Sequence, residues 1–190
     1  FHIICVLYFT NLNFTYFIRI VILNELQIYT SMHQVFLGIG GNTGNKSDNF
    51  DKVYTLIKNE LGEIARSSSI YETPPWGFDA KEDFWNQVLL VETKYSPEIL
   101  LKKIAEIENW FGRERGTVNY TSRKMDIDIL YFDEVVMETE NLTIPHLQIQ
   151  NRLFVLVPLA EIAPEFVHPK LRMTSLQMLE ECSDSSAIKK

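Results

Sequence analysis

The sequence predicts an α+β fold in which an antiparallel sheet carries two helices on one face. Two stretches have the apolar spacing of amphipathic helices, 48–61 and 97–111. Four stretches have the apolar or alternating pattern of strands, namely 35–39, 64–72, 83–94 and 125–132. In chain order these elements read βαββαβ, the order of a ferredoxin-like sandwich. We expect a hairpin and short helices after them.

The composition is that of one globular domain. The chain has 190 residues, of which 46% are hydrophobic and 23% charged, and its net charge is −7. This negative charge argues against a nucleic-acid-binding surface. The two cysteines, Cys5 and Cys182, indicate a reducing compartment and no disulfide framework, so we expect a cytoplasmic protein.

Residues 1–31 differ from the rest of the chain. They are rich in apolar residues, but Asn11, Asn13 and Arg19 interrupt the run, which makes it a poor membrane span. The run also lacks the basic start and cleavage site of a signal peptide. We expect 1–31 to lie outside the fold, a domain over 32–182 and a tail over 183–190; a membrane anchor is the alternative for 1–31.

The first strand leads into a glycine-containing turn. Gly40, Lys46 and Ser47 have the spacing of a phosphate-binding P-loop, but Asn45 stands where that motif needs its second glycine. We favour the alternative, a tight strand-to-helix turn with Ser47 as the N-cap of the first helix. Gly62 ends this helix.

The third predicted strand places an amide beside an aromatic ring. Phe84, Asn86 and Val88 alternate and therefore share one face. A ring to stack on and an amide to read an edge suit a flat heterocycle, although an ordinary polar strand position is the alternative. The second helix begins at Ser96-Pro97, and its Glu108 either pairs with a nearby arginine or lies near the site.

The fourth strand carries an acidic pair. Asp126 and Asp128 alternate with apolar residues, so both carboxylates point to one face. Basic residues precede them, namely Arg113, Arg115, Arg123 and Lys124. Carboxylates for Mg²⁺ and guanidinium groups for phosphate oxygens are what a magnesium-phosphate substrate needs. An edge strand with a solvated acidic face is the alternative.

The last third of the chain has weaker signals. Residues 135–137 are expected to pair back after the turn at 133–134. His146 and Arg152 form a second cationic pair that suits phosphate, although His146 alone would suit an ordinary loop. Helices are expected over 155–162 and 174–181, followed by a frayed end over 182–190.

Several motifs occur together in one order. They are Gly38-Ile39-Gly40-Gly41-Asn42, Tyr71-Glu72-Thr73-Pro74-Pro75-Trp76-Gly77, Phe84-Trp85-Asn86, Arg123-Lys124-Met125-Asp126-Ile127-Asp128, Ile144-Pro145-His146, Asn151-Arg152-Leu153-Phe154 and Pro158-Leu159-Ala160-Glu161-Ile162-Ala163-Pro164. Over residues 32 to about 178 this set resembles the 6-hydroxymethyl-7,8-dihydropterin pyrophosphokinase family of folate biosynthesis. The segment before Arg123 departs from the family pattern, since Asn119-Tyr120-Thr121-Ser122 stands where Trp-Gly-Pro is frequent.

The resemblance implies a transferase that moves diphosphate from ATP to the pterin hydroxymethyl group and releases AMP. It implies two Mg²⁺ ions held by Asp126 and Asp128, with Arg113 and Arg123 as further catalytic residues. The implied pterin-binding residues are Thr73, Pro74, Trp76, Phe84, Asn86, Tyr120 and Phe154. The implied ATP-binding residues are Arg113, Arg115, Arg123, Ile129, Thr143, His146 and Arg152. The implied partners are these small molecules and other folate-pathway enzymes, with no nucleic acid and no membrane.

Two other classes of protein share parts of this pattern. The RNA-recognition fold has the same βαββαβ order, but its aromatic platform motif is not visible here and the net charge opposes it. A small-molecule-binding regulatory domain would have no need of two metal-binding carboxylates, so magnesium-dependent turnover separates it from an enzyme.

Overall fold

The computed structural model describes residues 32–78, 80–112 and 122–190. In chain order its elements are β1 His33–Gly41, α1 Lys46–Glu60, β2 Glu63–Ser67, β3 Tyr71–Thr73, β4 Phe84–Thr93, α2 Pro97–Trp110, β5 Asp126–Phe132, β6 Met137–Glu138, β7 Thr143–Ile144, a 3-10 helix Ile149–Asn151, α3 Leu153–Ile162 and α4 Ser175–Glu181. The expected mixture of helices and antiparallel sheet is confirmed. Among the helices of this described part, none has the length and apolar composition needed to cross a membrane.

The main sheet has the strand order β2-β4-β1-β5, and β3 also pairs with β4. Every one of these pairings is antiparallel. The single strand expected over 64–72 is two strands, because Ser68 interrupts the ladder. The hydroxyl of Ser68 accepts from the backbone N–H of Val88 at 3.1 Å, in place of a backbone carbonyl. The edge beside β4 is therefore divided between β2 and β3.

Apolar side chains cover both faces of this sheet. Alternate residues of β1 belong to separate clusters, with Leu37 in one and Phe36 in the other. The first cluster joins the sheet to Ile57 of α1 and Ile104 of α2. The second joins it to α3 and α4, through residues such as Leu156. The site described below opens on the face covered by the second cluster.

A β-bulge in β5 changes which way its side chains point. Leu37 pairs with Ile129 and Phe36 pairs with Tyr131, so Leu130 is an extra residue in the ladder. Leu130 and Tyr131 consequently both join the second cluster, while Ile129 stays in the first. Before the bulge the strand alternates regularly, and Asp126 and Asp128 share the face of Leu130.

Two local expectations, for the N-cap of α1 and for the hairpin after β5, are wrong. Asn45, not Ser47, is the N-cap of α1, because its side-chain oxygen accepts from the Asp48 N–H at 3.3 Å. The hairpin after β5 does not pair back onto it, because β6 pairs with β7, a partner that lies later in the chain.

The end of the chain is also not frayed. Lys189 exchanges two backbone hydrogen bonds with Glu72 of β3, at 2.7 and 2.9 Å. A carboxylate oxygen of Asp184 accepts from the backbone N–H of Leu153 at 3.0 Å. These contacts give the polar segment over 182–190 partners that its composition does not indicate.

Candidate active site

A cavity of about 310 Å³ lies against the sheet on the side of α3. Strand ends of β1, β4 and β5 form its floor, and the loop between β3 and β4 and the start of α3 form its walls. Its lining residues are Gly38, Ile39, Gly40, Thr73, Pro74, Trp76, Phe78, Phe84, Asn86, Gln87, Val88, Arg123, Asp126, Asp128, Leu130, His146, Arg152, Phe154 and Val155. One end is charged and the other is aromatic.

The charged end contains the predicted acidic pair. Asp126 and Asp128 project side by side from β5 into the cavity. The guanidinium of Arg123 donates to Asp126 Oδ2 at 2.6 Å, a charge-assisted hydrogen bond. Arg123 thus supplies a counter-charge to this carboxylate, three residues before it in the chain. The predicted acidic pair and the predicted Arg123 therefore lie together at the charged end of the cavity.

The donor set at this end fits a hard divalent cation. Carboxylate oxygens are ligands that Mg²⁺ prefers, and Mg²⁺ keeps several water or phosphate oxygens in its octahedral shell. Within residues 32–78, 80–112 and 122–190 no group of three or more His, Cys, Asp or Glu side chains is placed to hold a metal. The protein would therefore supply the two carboxylates, and a phosphate substrate and water would supply the remaining ligands.

The aromatic end contains the amide predicted on β4. Asn86 is 8% exposed, and its Nδ2 donates to the hydroxyl of Thr73 at 2.8 Å, which fixes the orientation of the amide. A Cβ on Gly40 would lie 2.7 Å from Asn86 Oδ1, so the close approach of β1 needs a glycine. Phe84 and Phe154 line the same space. A planar ring with a hydrogen-bonding edge suits these walls.

Arg152 connects the two ends of the cavity. It is only 6% exposed and lies directly before α3. Its guanidinium carbon is 4.8 Å from the centre of the Trp76 ring and 5.5 Å from that of Phe154. These cation–π contacts hold a permanent positive charge beside aromatic walls. An anionic ligand in the cavity would meet this charge.

His146 adds a neutral ring to the charged end. Burial, with the positive charge of Arg152, lowers the pKa of His146 to about 4, and the negative charge of Asp126 only partly opposes this. Its Nδ1 accepts from the backbone N–H of Gln148 at 3.2 Å, which leaves the ring proton on Nε2. At neutral pH His146 is therefore a hydrogen-bond donor without a charge.

Not every predicted site residue lies here. Arg113, Arg115 and Tyr120 fall outside the described residues. The side chain of Ile129 is in the first apolar cluster, on the other face of the sheet, and Thr143 lies in β7 away from the lining. The lining residues that the sequence did not single out for this site are Gly38, Ile39, Gly40, Phe78, Gln87, Val88, Leu130 and Val155. The alternation of β5 after Asp126 and Asp128 is the signal that could have found Leu130.

Lys46 does not act as a P-loop lysine. Its Nζ donates to the carbonyl of Asp83 at 3.0 Å and lies 3.5 Å from a carboxylate oxygen of Glu72. The same ammonium lies 5.3 Å from the Trp85 ring. These contacts support the strand-to-helix turn favoured for this segment.

Comparison with known proteins gives one consistent answer. A family model described as 7,8-dihydro-6-hydroxymethylpterin-pyrophosphokinase (HPPK) matches residues 36–164. The chain is 36% identical over 141 residues to the 2-amino-4-hydroxy-6-hydroxymethyldihydropteridine pyrophosphokinase of Aquifex aeolicus. The aligned region covers 74% of this chain and 87% of that protein. It is 37% identical over 144 residues to the folic acid synthesis protein FOL1 of Dictyostelium discoideum, and there it spans only 22% of the relative.

Solved structures share the fold. The crystal structure of Plasmodium falciparum HPPK-DHPS, wild type with pteroate, superposes with a TM-score of 0.66 at 16% identity. That match covers 80% of this chain and 44% of the larger protein. The chain thus spans less than half the length of the two-enzyme structures that it matches.

Proposed function

The chain belongs to the 7,8-dihydro-6-hydroxymethylpterin-pyrophosphokinase family, and from that premise we propose that its cavity binds ATP and 6-hydroxymethyl-7,8-dihydropterin and transfers diphosphate between them. The products are AMP and the pterin diphosphate, and the reaction belongs to folate synthesis. The observation that carries the proposal is the meeting, in one cavity, of a carboxylate pair with an aromatic and amide wall.

The aromatic end takes the pterin. Phe84 and Phe154 are the plates between which the ring stacks, and Asn86, held by Thr73, hydrogen-bonds its edge. Pro74 and Trp76 of the β3–β4 loop complete this wall. Tyr120, outside the described residues, remains proposed as a further pterin contact.

The charged end takes the triphosphate. Asp126 and Asp128 would hold two Mg²⁺ ions, which neutralise phosphate charge when bound. Arg123, His146 and Arg152 donate to phosphate oxygens, and all three line the cavity. The proposed nucleotide site also includes Arg113, Arg115, Ile129 and Thr143. Ile129 contributes only through its backbone, because its side chain is in the core.

The chemistry is an in-line displacement at the β-phosphorus of ATP. The pterin hydroxyl oxygen forms the new bond to that phosphorus and gives up its proton to water, while the bond to the oxygen of the α-phosphate breaks and AMP leaves. The side chains of this chain orient the two substrates and stabilise the charge that builds on the phosphate oxygens. Positioning and electrostatics therefore provide most of the acceleration.

The wider setting of the enzyme is proposed on the same premise. The strand order β2-β4-β1-β5 with α1 and α2 against one face supports a ferredoxin-like sandwich, extended by the β6–β7 hairpin, α3 and α4. The domain is proposed to begin at residue 32, with residues 1–31 outside it. The sequence ended the domain at 182, but the pairing of Lys189 with Glu72 favours including the segment over 183–190. Relatives named as bifunctional folate synthesis proteins support other folate-pathway enzymes as partners, fused or associated. The proposed cytoplasmic location rests on the cysteine usage alone.

The deciding experiment is turnover with ATP, the reduced pterin and Mg²⁺, with the nucleotide product resolved by chromatography. We expect AMP. ADP would reject the pyrophosphokinase assignment even if turnover depended on magnesium.

Replacing an acidic ligand tests the metal-binding role. Asp128→Asn keeps the shape of the side chain but removes the charge that would hold Mg²⁺, so turnover should fall by orders of magnitude while the melting temperature changes little. Asp51→Asn, an exposed position on α1, is the matched control and should leave turnover unchanged. Equal activity of the two variants would reject Asp128 as a metal ligand.

A further inference from the structure

Helix α3 begins at a residue that cannot cap it. Its N-cap residue is Arg152, and a guanidinium carries only donors, so this side chain cannot accept from the helix N–H groups. The guanidinium lies instead against the rings of Trp76 and Phe154 in the cavity. The first N–H groups of a helix have no partner within it and need acceptors from elsewhere. The acceptor for α3 must therefore come from another part of the chain.

The segment over 183–190 supplies this acceptor. Asp184 Oδ2 accepts from the backbone N–H of Leu153, the first residue of α3, at 3.0 Å and across 31 positions of sequence. Asp184 Oδ1 accepts from the backbone N–H of Ser186 at 2.9 Å and from its hydroxyl at 2.6 Å. Burial alone would raise the pKa of Asp184, but these hydrogen bonds outweigh it and lower the pKa. The group at the start of α3 is thus a carboxylate, whose charge a helix N-terminus favours.

Contacts on both sides of Asp184 hold the carboxylate in place. Shortly before it, the side chain of Cys182 packs against the second apolar cluster. Shortly after it, Lys189 exchanges two backbone hydrogen bonds with Glu72 of β3, at 2.7 and 2.9 Å. The segment that carries the acceptor is therefore fixed to the fold at each end.

The residue that Asp184 holds lies between two walls of the cavity. Leu153 stands between Arg152 and Phe154, which both line the cavity, whereas Asp184 is not among the lining residues. Fixing the backbone N–H of Leu153 fixes the backbone on both sides of it. It therefore determines where the guanidinium and the phenyl ring project, and a shift of this first turn would move both together.

We infer that Asp184 is a positioning residue, which caps α3 from outside the helix and holds Phe154 and Arg152 where the substrates bind. This inference rests on the proposed function, in which Phe154 stacks on the pterin and Arg152 donates to the triphosphate. Without its cap, the first turn of α3 unwinds for part of the time. Only the molecules in which this turn is formed bind with full affinity, so the apparent Kd rises.

A double-mutant cycle tests this inference through pterin affinity. Calorimetry gives the Kd of the reduced pterin for wild type, Asp184→Ala, Phe154→Ala and the double variant, at a temperature where all four are folded. Asp184→Ala should raise the Kd about fivefold, the effect of losing a typical cap. In the Phe154→Ala background the same change should have almost no effect, because the ring that Asp184 positions is gone. An equal rise in both backgrounds would indicate a merely structural role and overturn the inference.

Three single variants separate the hydrogen bond from the charge. Asp184→Asn keeps an oxygen for the N–H of Leu153, so its Kd should stay within about twofold of wild type. A Kd as high as that of Asp184→Ala would overturn the external cap. Ser186→Ala removes the hydroxyl that orients the carboxylate and should raise the Kd by a smaller factor. Ser185→Ala, at an exposed serine of the same segment, is the matched control and should leave the Kd unchanged. If Asp184→Ala does not fold, Ser186→Ala takes its place in the cycle.

A spectroscopic readout tests the positioning without any substrate. The guanidinium carbon of Arg152 is 4.8 Å from the centre of the Trp76 ring, so a displaced Arg152 changes the surroundings of that indole. In Asp184→Ala the NMR signal of the Trp76 indole N–H, assigned with Trp76→Phe, should shift, whereas that of the exposed Trp110 should not. An unshifted Trp76 signal would overturn the inference. A wild-type protein that binds no pterin fails the proposed function, and this signal then decides the role of Asp184.

Discussion

At the scale of single residues, His146 is a neutral donor among charged groups. Its ring lies in the cavity with Arg152 and Asp126, and its pKa is lowered to about 4 from 6.5, chiefly by burial. A cation at this position would repel Arg152, whereas a neutral N–H does not. His146 is thus suited to hydrogen-bond a phosphate oxygen without adding charge to the empty site.

The pKa of His146 should depend on the nucleotide. In the ligand-free protein an NMR titration should give about 4, and ATP should raise this value because phosphate anions favour the imidazolium. Between pH 4 and 6.5, His146 is protonated in the unfolded chain to a greater extent than in the folded protein. The free energy of unfolding should therefore fall as pH falls through this window. His146→Gln identifies the signal and should remove this part of the pH dependence; an unshifted pKa would contradict the prediction.

Strand periodicity predicted the site residues that lie on strands. Asp126 with Asp128, and Phe84 with Asn86, follow from alternation alone. The same rule could not find the contacts of Asn42 and Lys46, because Asn42 lies in the turn after β1 and Lys46 begins α1, so neither lies on a strand. Their partners, Arg123 and Asp83, are distant in sequence. Only the folded backbone brings them together.

At the scale of elements, α3 carries site residues at one end and an anchor at the other. Phe154 lies in its first turn and Glu161 near its end. The carboxylate of Glu161 accepts from the N–H of Ser69 at 2.9 Å and its hydroxyl at 2.8 Å, and from the Tyr71 hydroxyl at 3.0 Å. It also pairs with Lys190 at 3.1 Å. Glu161 therefore ties the helix to β3 and to the chain end.

Removing the charge of Glu161 should weaken the fold in a pH-dependent way. Burial alone would raise the pKa of Glu161, but the hydrogen bonds from Ser69, Lys190 and Tyr71 outweigh it and lower the pKa to about 2 from 4.5. The stabilisation is therefore present above pH 4.5 and is lost as pH falls through about 2. Glu161→Gln should lower the free energy of unfolding by about 1 kcal/mol at pH 7, because the carboxylate is partly exposed.

Urea denaturation at a series of pH values measures this difference. The gap between wild type and Glu161→Gln should shrink as pH is lowered from 4.5 towards 2. Glu165→Gln, on an exposed position nearby, is the control and should behave as wild type. A gap that stays constant with pH would show that the charge is not the cause.

The first turn of α3 should determine pterin affinity. Phe154→Ala removes one aromatic wall, and stacking of a ring on an aromatic side chain contributes about 1–3 kcal/mol. The Kd of the pterin should rise by tens of fold, while that of ATP changes much less. Calorimetry with each ligand measures both, and Trp110→Ala, an exposed aromatic on α2, is the control. Equal weakening of both ligands would indicate general damage to α3.

Elements with a clear period were predicted well, and those defined by distant partners were not. The apolar stripe of α1 is such a local signal, and α4 over Ser175–Glu181 lies within the helix predicted over 174–181. The division of the strand over 64–72 depends on Ser68 meeting Val88, and the hairpin of β6 depends on β7. Local pattern contains no information about either partner.

At the scale of the whole molecule, the sheet is covered on both faces by residues of the described part. Among these described residues, the members of the two apolar clusters lie between Val35 and Cys182. The alternation of strands with two helices followed from the sequence, because each element has its own period; the division of 64–72 into β2 and β3 did not. The covering of the second face by α3 and α4 did not, because nothing local indicates which face a short apolar helix will meet.

The two ends of the chain should therefore respond differently to truncation. Removing residues 1–31 should leave the free energy of unfolding and the turnover rate unchanged, because that segment carries none of the motif residues assigned to the site. Removing residues 184–190 should destabilise the protein, because it deletes the Lys189 pairing with Glu72, the Asp184 acceptor for Leu153 and the ion pair of Lys190 with Glu161. Glu72 directly precedes Thr73 of the cavity wall, so the Kd of the pterin should rise as well.

Urea denaturation and pterin calorimetry on both truncated proteins measure these effects. Loss of folding without 1–31 would place that segment inside the domain, and wild-type stability without 184–190 would show that the pairing at Lys189 contributes nothing.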